Sequence, residues 1–232
     1  MTPLVTGAVE IKVAGEALEL LPDHAVHWRV ASTLFVADPH FGKAATFRAA
    51  GIFVPEETTA MTLARLDALL HVTNAHRLVF LGDFLHAREG RQADTMRAIG
   101  EWRAGHSSVA MLLVRGNHDR RAGDPPDSLE IECVNGPRIE GPFALAHHPT
   151  KVAGAYVLAG HVHPGARLYG VGRERARISC FWFGRDCAVL PAFGEFTGLA
   201  DIEAEAGDRV WVTTGEEVIA VATAGLAADS RN

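Results

Sequence analysis

The sequence predicts an α/β fold, a layered α/β-β/α sandwich of two mixed β-sheets flanked by helices. Three observations lead there. Short apolar runs recur along the chain, and several stop abruptly at a cluster of Gly, His, Asp or Asn. In the first half these runs alternate with segments of helical periodicity. In the second half they follow one another with little helical pattern between them.

Val9, Ile11 and Val13 are apolar at period two, Gly15 marks a turn, and Leu18, Leu20 and Leu21 follow, which reads as a β-hairpin. Ala25 to Val30 is a short strand. Thr33 to Ala37 is a buried one that ends directly at Asp38. Met61, Leu63, Leu66, Leu69 and Leu70 fit a helix from Thr58 to Ala75, and the same spacing gives a second helix from Gln92 to Ala104. Between them, Leu78 to Leu81 stops at Gly82-Asp83. Val109 to Val114 stops at Arg115-Gly116-Asn117-His118-Asp119. Phe143 to Ala146 runs into His147-His148, and Tyr156 to Ala159 into Gly160-His161-Val162-His163. Ser179 to Phe183 and Cys187 to Leu190 form a late hairpin. There is no internal repeat or interdomain linker, so a single domain is expected over residues 1–221. Residues 222–232, small and polar, read as a flexible tail.

A chain of 232 residues with 48% hydrophobic and 22% charged residues can bury a sizeable core, which excludes a disordered protein. The net charge of -6 carries no global nucleic-acid signature. It does not exclude one, because a local groove or bound cations can reverse the sign where it matters. Cys133, Cys180 and Cys187 are odd in number and form no C-x-x-C pair, so buried reduced thiols are expected. With no signal-peptide pattern and no apolar run of spanning length, the expected location is cytoplasmic, without a membrane partner.

The strand-end clusters carry the chemistry. In Asp38-Pro39-His40, residues two apart on extended backbone point the same way, so a carboxylate and an imidazole can reach one metal. Gly82 lets backbone pass close to a site, and Asp83 can bridge two cations with its two oxygens. Asn117 offers a neutral carbonyl oxygen. His118 can donate a proton, and Asp119 can orient its ring. His161 and His163 lie two apart, and His147 ends the preceding strand, with His148 pointing elsewhere if the backbone stays extended. Each cluster alone is as readily a turn or a structural histidine. Five of them at strand ends point to a dinuclear metal centre, because in open α/β sheets ligands bind beyond the carboxyl ends of the strands.

This ordered set, D-x-H, GD, GNHD, a strand-terminal His and GHxH, resembles the calcineurin-like metallophosphoesterase superfamily from Asp38 to His163. The resemblance implies that Asp38, His40, Asp83 and His163 hold one metal. Asp83, Asn117, His147 and His161 would hold the other, with Asp83 bridging and His118 near the scissile phosphate. Two such cations would activate a bridging water and stabilise an in-line displacement at phosphorus. Mixed nitrogen and oxygen ligands suit manganese, iron or zinc better than calcium, with manganese expected.

Further motifs narrow the resemblance. They are Gly15-Glu16 with Leu18 and Leu20-Leu21 ahead of Trp28, DPHFGKAATFR from Asp38 to Arg48, Gly51 to Pro55, and Leu190 to Gly198. With these the chain is similar, from Val9 to Gly198, to the bacterial ligase-associated DNA-damage-response endonucleases, or PdeM-type phosphodiesterases. Pro39 departs from that pattern, where an apolar residue such as Leu is usual; its missing N–H removes one hydrogen bond. The resemblance implies a DNA phosphodiester substrate and functional association with a DNA ligase and helicase. Lys43, Arg48 and Arg120 are candidate phosphate-binding cations; Lys43 and Arg48 are equally readable as solvated surface charge, and Arg120 more readily so. Phe47 and Phe53 stack on bases or, on the plainer reading, pack in the core. Leu190 to Gly198 lines the site or forms a structural hairpin. Two other functions share parts of this pattern: a pyrophosphohydrolase or phosphatase acting on a nucleotide or lipid-linked nucleotide, and a non-catalytic scaffold. The complete ligand set and His118 speak against the scaffold.

Overall fold

The computed structural model describes residues 4–49, 51–52, 58–170 and 175–223. The first sheet has seven strands in chain order: β1 (Val9–Val13), β2 (Glu16–Leu21), β3 (Ala25–Trp28), β4 (Thr33–Val36), β5 (Arg77–Phe80), β6 (Ala110–Val114) and β7 (Ile131–Val134). β1 to β4 pair antiparallel, and β4 to β7 pair parallel. The parallel connections carry the helices. α1 (Lys43–Ala49) and α2 (Thr58–Thr73) lie between β4 and β5, and α3 (Ala93–Gly105) lies between β5 and β6. α4 (Asn117–Ala122) follows β6.

The second sheet has nine strands: β8 (Arg138–Glu140), β9 (Phe143–Leu145), β10 (Tyr156–Ala159), β11 (Pro164–Tyr169), β12 (Arg175–Phe183), β13 (Cys187–Val189), β14 (Ala200–Asp201), β15 (Arg209–Thr213) and β16 (Val218–Val221). Its main path runs β14-β11-β12-β13-β10-β9-β8, with β15 joined to β12 and β16 to β15. β9, β10 and β13 are mutually parallel.

Alternation along the strands of the first sheet explains the layers. Leu34 and Val36, Leu78 and Phe80, and Met111 and Leu113 face the helices, where they meet Leu63, Leu66, Leu69 and Leu70 of α2 and Ile99 of α3. The intervening Phe35, Val79, Leu81 and Leu112 face the second sheet and pack on Phe143, Leu145, Leu158, Phe181 and Phe183. Each fully buried Phe or Leu here contributes about 1.5–3 kcal/mol of hydrophobic free energy. The outer face of the second sheet carries two smaller apolar clusters, around Ala166, Cys180 and Val212 and around Ala144 and Val157.

The two mixed sheets with helices are the architecture the sequence predicts. Differences are local. β3 stops at Trp28, and a short 3-10 turn over Arg29–Ala31 replaces its expected end. α1, α4, β7, β8, β11 and β14 to β16 are additional to the elements expected from the sequence. The three thiols are free, but only Cys180 is buried; Cys133 and Cys187 are partly exposed. No helix among the described residues is long and apolar enough to cross a membrane. The tail expected over 222–232 lies, from residue 224, outside the described residues.

Candidate active site

The parallel strands of both sheets deliver their carboxyl ends to one place. β4 leads into Asp38-Pro39-His40, β5 into Gly82-Asp83, β6 into Gly116-Asn117-His118, β9 into His147, and β10 into Gly160-His161-Val162-His163. Asp38 is fully buried, and Asp83, His40 and His147 are nearly so, at 2%, 4% and 3% exposure. His118 and His163 are half-buried, and His148 and His161 open to solvent. The carboxylates therefore floor a pocket whose mouth is lined with imidazoles.

The local backbone is not the extended chain the spacing suggests. Asp38, His40, Asp83, His161 and His163 all adopt positive φ, between 48° and 70°. Left-handed backbone costs a side chain on the order of 1 kcal/mol, least for Asp, Asn and His. Five such residues in one pocket mark strain held by the surrounding fold. The turns still bring Asp38, His40 and His163 together, with ligand atoms within 4.8 Å of one another. His148 also departs from expectation: its ring lies 4.0 Å from that of His161, centroid to centroid, and it joins His147 and His161 in a second cluster.

Asp83 faces both halves of the pocket. Its Oδ2 lies 3.9 Å from His40 Nε2 and its Oδ1 3.5 Å from His147 Nε2. Asp38 does likewise, with Oδ2 3.6 Å from His163 Nε2 and Oδ1 3.4 Å from His147 Nδ1. Asn117 Oδ1 and His161 Nδ1 lie 2.9 Å and 3.1 Å from His147 Nε2. The His147 ring is oriented by its other nitrogen, since Nδ1 donates to the Leu81 carbonyl at 3.1 Å, leaving the Nε2 lone pair aimed at the pocket. Gly82 makes room for this ring: at φ +89° it is left-handed, and a Cβ there would fall 2.0 Å from His147 Nδ1.

The electrostatics fit cations. Burial, then the neighbouring Asp83 charge, holds the Asp38 carboxyl well above the usual range, and burial raises Asp83 as well. Burial depresses the histidines, with His147 at about 3 and His163 at about 4, and His40 lower still. Neutral imidazoles and paired buried carboxylates are metal ligands in waiting. Asp38 Oδ1 and His163 Nε2 are buried and have no hydrogen-bond partner among the described residues, an arrangement that costs stability unless a cation takes them up. The residues present fit divalent metal ions.

A scan against protein-family models found no match, and a search of curated proteins found none either. Among solved structures, the Pseudomonas putida nuclease MPE matches with a TM-score of 0.82 and 42% identity, over 92% of this chain and 100% of that one. The Escherichia coli phosphoesterase YfcE aligns with a TM-score of 0.42 and 15% identity, over 82% of this chain and 98% of that one. The chain belongs to the metallophosphoesterases, in the subgroup of nuclease MPE.

Within this metallophosphoesterase fold, Asp119 does something other than expected. Its Oδ2 accepts the Gly116 N–H at 2.8 Å and its Oδ1 the Leu85 N–H at 3.2 Å, so it caps α4 and ties it to the β5 loop. Burial raises its carboxyl to about 6. The His118 ring is held instead by His86, whose backbone carbonyl accepts from Nδ1. His86 is the residue the sequence reading missed. Its ring stacks on His118 with centroids 4.9 Å apart, and its Nδ1 lies 3.3 Å from His40 Nδ1. The available signal was a histidine three residues past Asp83.

Of the three candidate cations, Lys43 is the one whose charge bears on the candidate ligand residues. It is 9% exposed at the start of α1, and its charge acts on Asp38, His40 and His163. Burial lowers its ammonium, and Asp38 opposes that. Arg48 is half-buried on α1, and Arg120 is exposed on α4. Phe47 packs against His86 and lies under Lys43 Nζ at 5.6 Å, and Phe53 lies outside the described residues. The segment after β13 lines the Asp38 turn. Phe193 and Gly194 donate backbone hydrogen bonds to the Ala37 and Asp38 carbonyls at 2.7 Å and 3.1 Å, and Arg65 anchors the segment through Glu195 and the Phe193 carbonyl.

Proposed function

We propose that this metallophosphoesterase is a manganese-dependent phosphodiesterase that cuts DNA. The observation that carries the metal-centred chemistry is the buried pair Asp38 and Asp83, ringed by the lone-pair faces of neutral histidines, with Asp38 Oδ1 and His163 Nε2 unpartnered. The 42% identity to nuclease MPE supports the choice of nucleic acid.

Asp38, His40, Asp83 and His163 would hold one ion, and Asp83, Asn117, His147 and His161 the other. Two divalent ions, manganese or else iron or zinc, supply Lewis-acid activation of water and neutralise phosphate charge. His118 stands at the pocket mouth with Nδ1 committed to the His86 carbonyl, so Nε2, 4.0 Å from Asp83 Oδ2, is the nitrogen that reaches substrate. There it protonates the leaving oxygen or steadies the charge on it. Lys43 adds fixed positive charge to the floor on the Asp38 side. Asp119 keeps the 116–119 turn in place without touching substrate. A cytoplasmic role in DNA repair beside a ligase and helicase is consistent with this activity.

The test is cleavage of bis-p-nitrophenyl phosphate, p-nitrophenyl phosphate and single-stranded DNA by the manganese-loaded protein. Cleavage of the diester and of DNA is expected. Cleavage of the monoester alone would move the reading to a phosphatase.

A further inference from the structure

We infer that an arginine rim beside His118, built from Arg88 and Arg121 and flanked by Arg120, carries the phosphodiester backbone of the nucleic-acid strand next to the scissile phosphate. This rests on the nuclease reading above and adds the surface that guides the strand. It begins with helix geometry. At 100° per residue, α4 turns Arg121 to the same face as Asn117 and His118, four and three residues earlier. Asp119 and Ala122 are buried on the other side. Arg121, rather than Arg120, is thus the α4 arginine that shares the pocket face.

A second arginine is fixed next to it. The 3-10 turn Arg88–Gly90 begins two residues after His86, and Arg88 Nε donates to the Arg121 carbonyl at 2.8 Å. Two residues earlier, His86 stacks on His118. Arg91 braces the same junction, its Nη1 reaching the Asp124 carbonyl at 2.7 Å and the Gly123 carbonyl at 3.2 Å. The turn and α4 therefore form one unit, with the Arg88 and Arg121 side chains exposed on it.

The arginines of this unit have no ion-pair partner among the described residues. Several arginines elsewhere are paired: Arg65, Arg77, Arg97, Arg115, Arg167 and Arg177 each meet a carboxylate. Among the described residues, no carboxylate pairs with Arg88, Arg120 or Arg121. The acids nearby form no ion pair with them. Asp124 is engaged by Arg115, Asp119 faces inward, and Glu89 is exposed on the turn. In a chain of net charge -6, exposed unpaired guanidinium groups beside the proposed proton donor are fitted to a polyanion that passes through the pocket.

The test uses the metal-loaded full-length protein as wild type, Arg88→Glu/Arg121→Glu, Arg121→Glu alone, and Arg97→Glu. Cleavage of single-stranded DNA and of bis-p-nitrophenyl phosphate is measured across a salt series. Among the described residues the Arg121 side chain makes no hydrogen bond or ion pair, so the single variant removes no polar partner. Expected is a fall in kcat/KM on DNA relative to the small diester, on the order of tenfold in the double variant and less in the single one. The salt slope on DNA should flatten by about 0.7 per lost contact. Arg97→Glu should keep the wild-type ratio. A double variant with wild-type ratio and slope overturns the rim while leaving the nuclease intact. A wild type that cleaves the small diester but not DNA overturns the nuclease reading and the rim with it.

Discussion

Gly116→Ala isolates the placement of Asp83. Gly116 has φ -91°, which alanine adopts freely, so the backbone adds no strain. The whole effect is spatial. A Cβ at this position would lie 2.1 Å from Asp83 Oδ1 and 2.6 Å from the Asp83 backbone nitrogen. Ordinary contact begins at 3.4 Å, so the carboxylate or the turn must retreat by about 1.3 Å. The carboxylate is 2% exposed, with Oδ1 bonded to the His118 N–H at 2.9 Å and His147 Nε2 3.5 Å away. Any retreat moves a group that faces both halves of the pocket. A misplacement of about 1 Å costs roughly 100-fold in rate, and overpacking costs about 1–3 kcal/mol of stability. The assay is manganese-dependent hydrolysis of bis-p-nitrophenyl phosphate, with a thermal melt of each protein. Gly100→Ala in α3 is the control, since nothing lies within 4 Å of its Cβ; it should gain about 0.4–1 kcal/mol and keep full activity. Wild-type turnover in Gly116→Ala would refute the reasoning that Asp83 must stand where it does.

Two further substitutions probe the support around the site. His86→Ala removes the ring that contacts His40 Nδ1 and stacks on His118, so the manganese concentration for half-maximal activity should rise by roughly 10- to 100-fold, with partial rescue by His86→Asn. An unchanged metal requirement would show that His40 needs no such partner. Glu19 is buried far from the pocket and accepts from the Val5 N–H, His27 and Arg29 at 2.7, 3.2 and 3.1 Å. Burial alone raises its carboxyl, but these bonds and the Arg29 charge outweigh it and hold it at about 2, against an ordinary 4.5. The folded value is the lower one, so its contribution is complete above pH 4.5 and is lost as pH falls toward 2. That gap corresponds to at most about 3 kcal/mol. Urea melts of Glu19→Gln should show a deficit at pH 7 that shrinks below pH 4.5, and a pH-independent deficit would contradict the assignment.

Much of the site was legible because its residues are tied to strand ends. Asp38, Asp83, Asn117, His147 and His161 each follow an apolar run closely enough that the run itself places them. The left-handed backbone of Asp38, His40, Asp83, His161 and His163 was not legible, because Asp and His suit both extended and αL conformations and the D-x-H spacing is the same in each. His86 escaped because it lies in a loop, and its contacts with His40 and His118 come from tertiary packing. Asp119 was misassigned for a related reason: a carboxylate three residues past Gly116 is also an N-terminal capping pattern, and the start of α4 decides between the roles. Three of the missed strands, β8, β11 and β14, have weak local signals. β11 opens on Pro164-Gly165, and β8 and β14 are three and two residues long, so their pairing follows from the sheet they join.

The most direct measurement counts metal. The protein is loaded with manganese, dialysed and analysed by elemental mass spectrometry, as wild type and as Asp83→Ala, with diester hydrolysis measured on the same samples. Two ions per chain in the wild type, with both metal and activity lost in the variant, is the predicted result. Full diester activity with one ion or none, or an Asp83→Ala protein that keeps both ions and its turnover, would contradict the account.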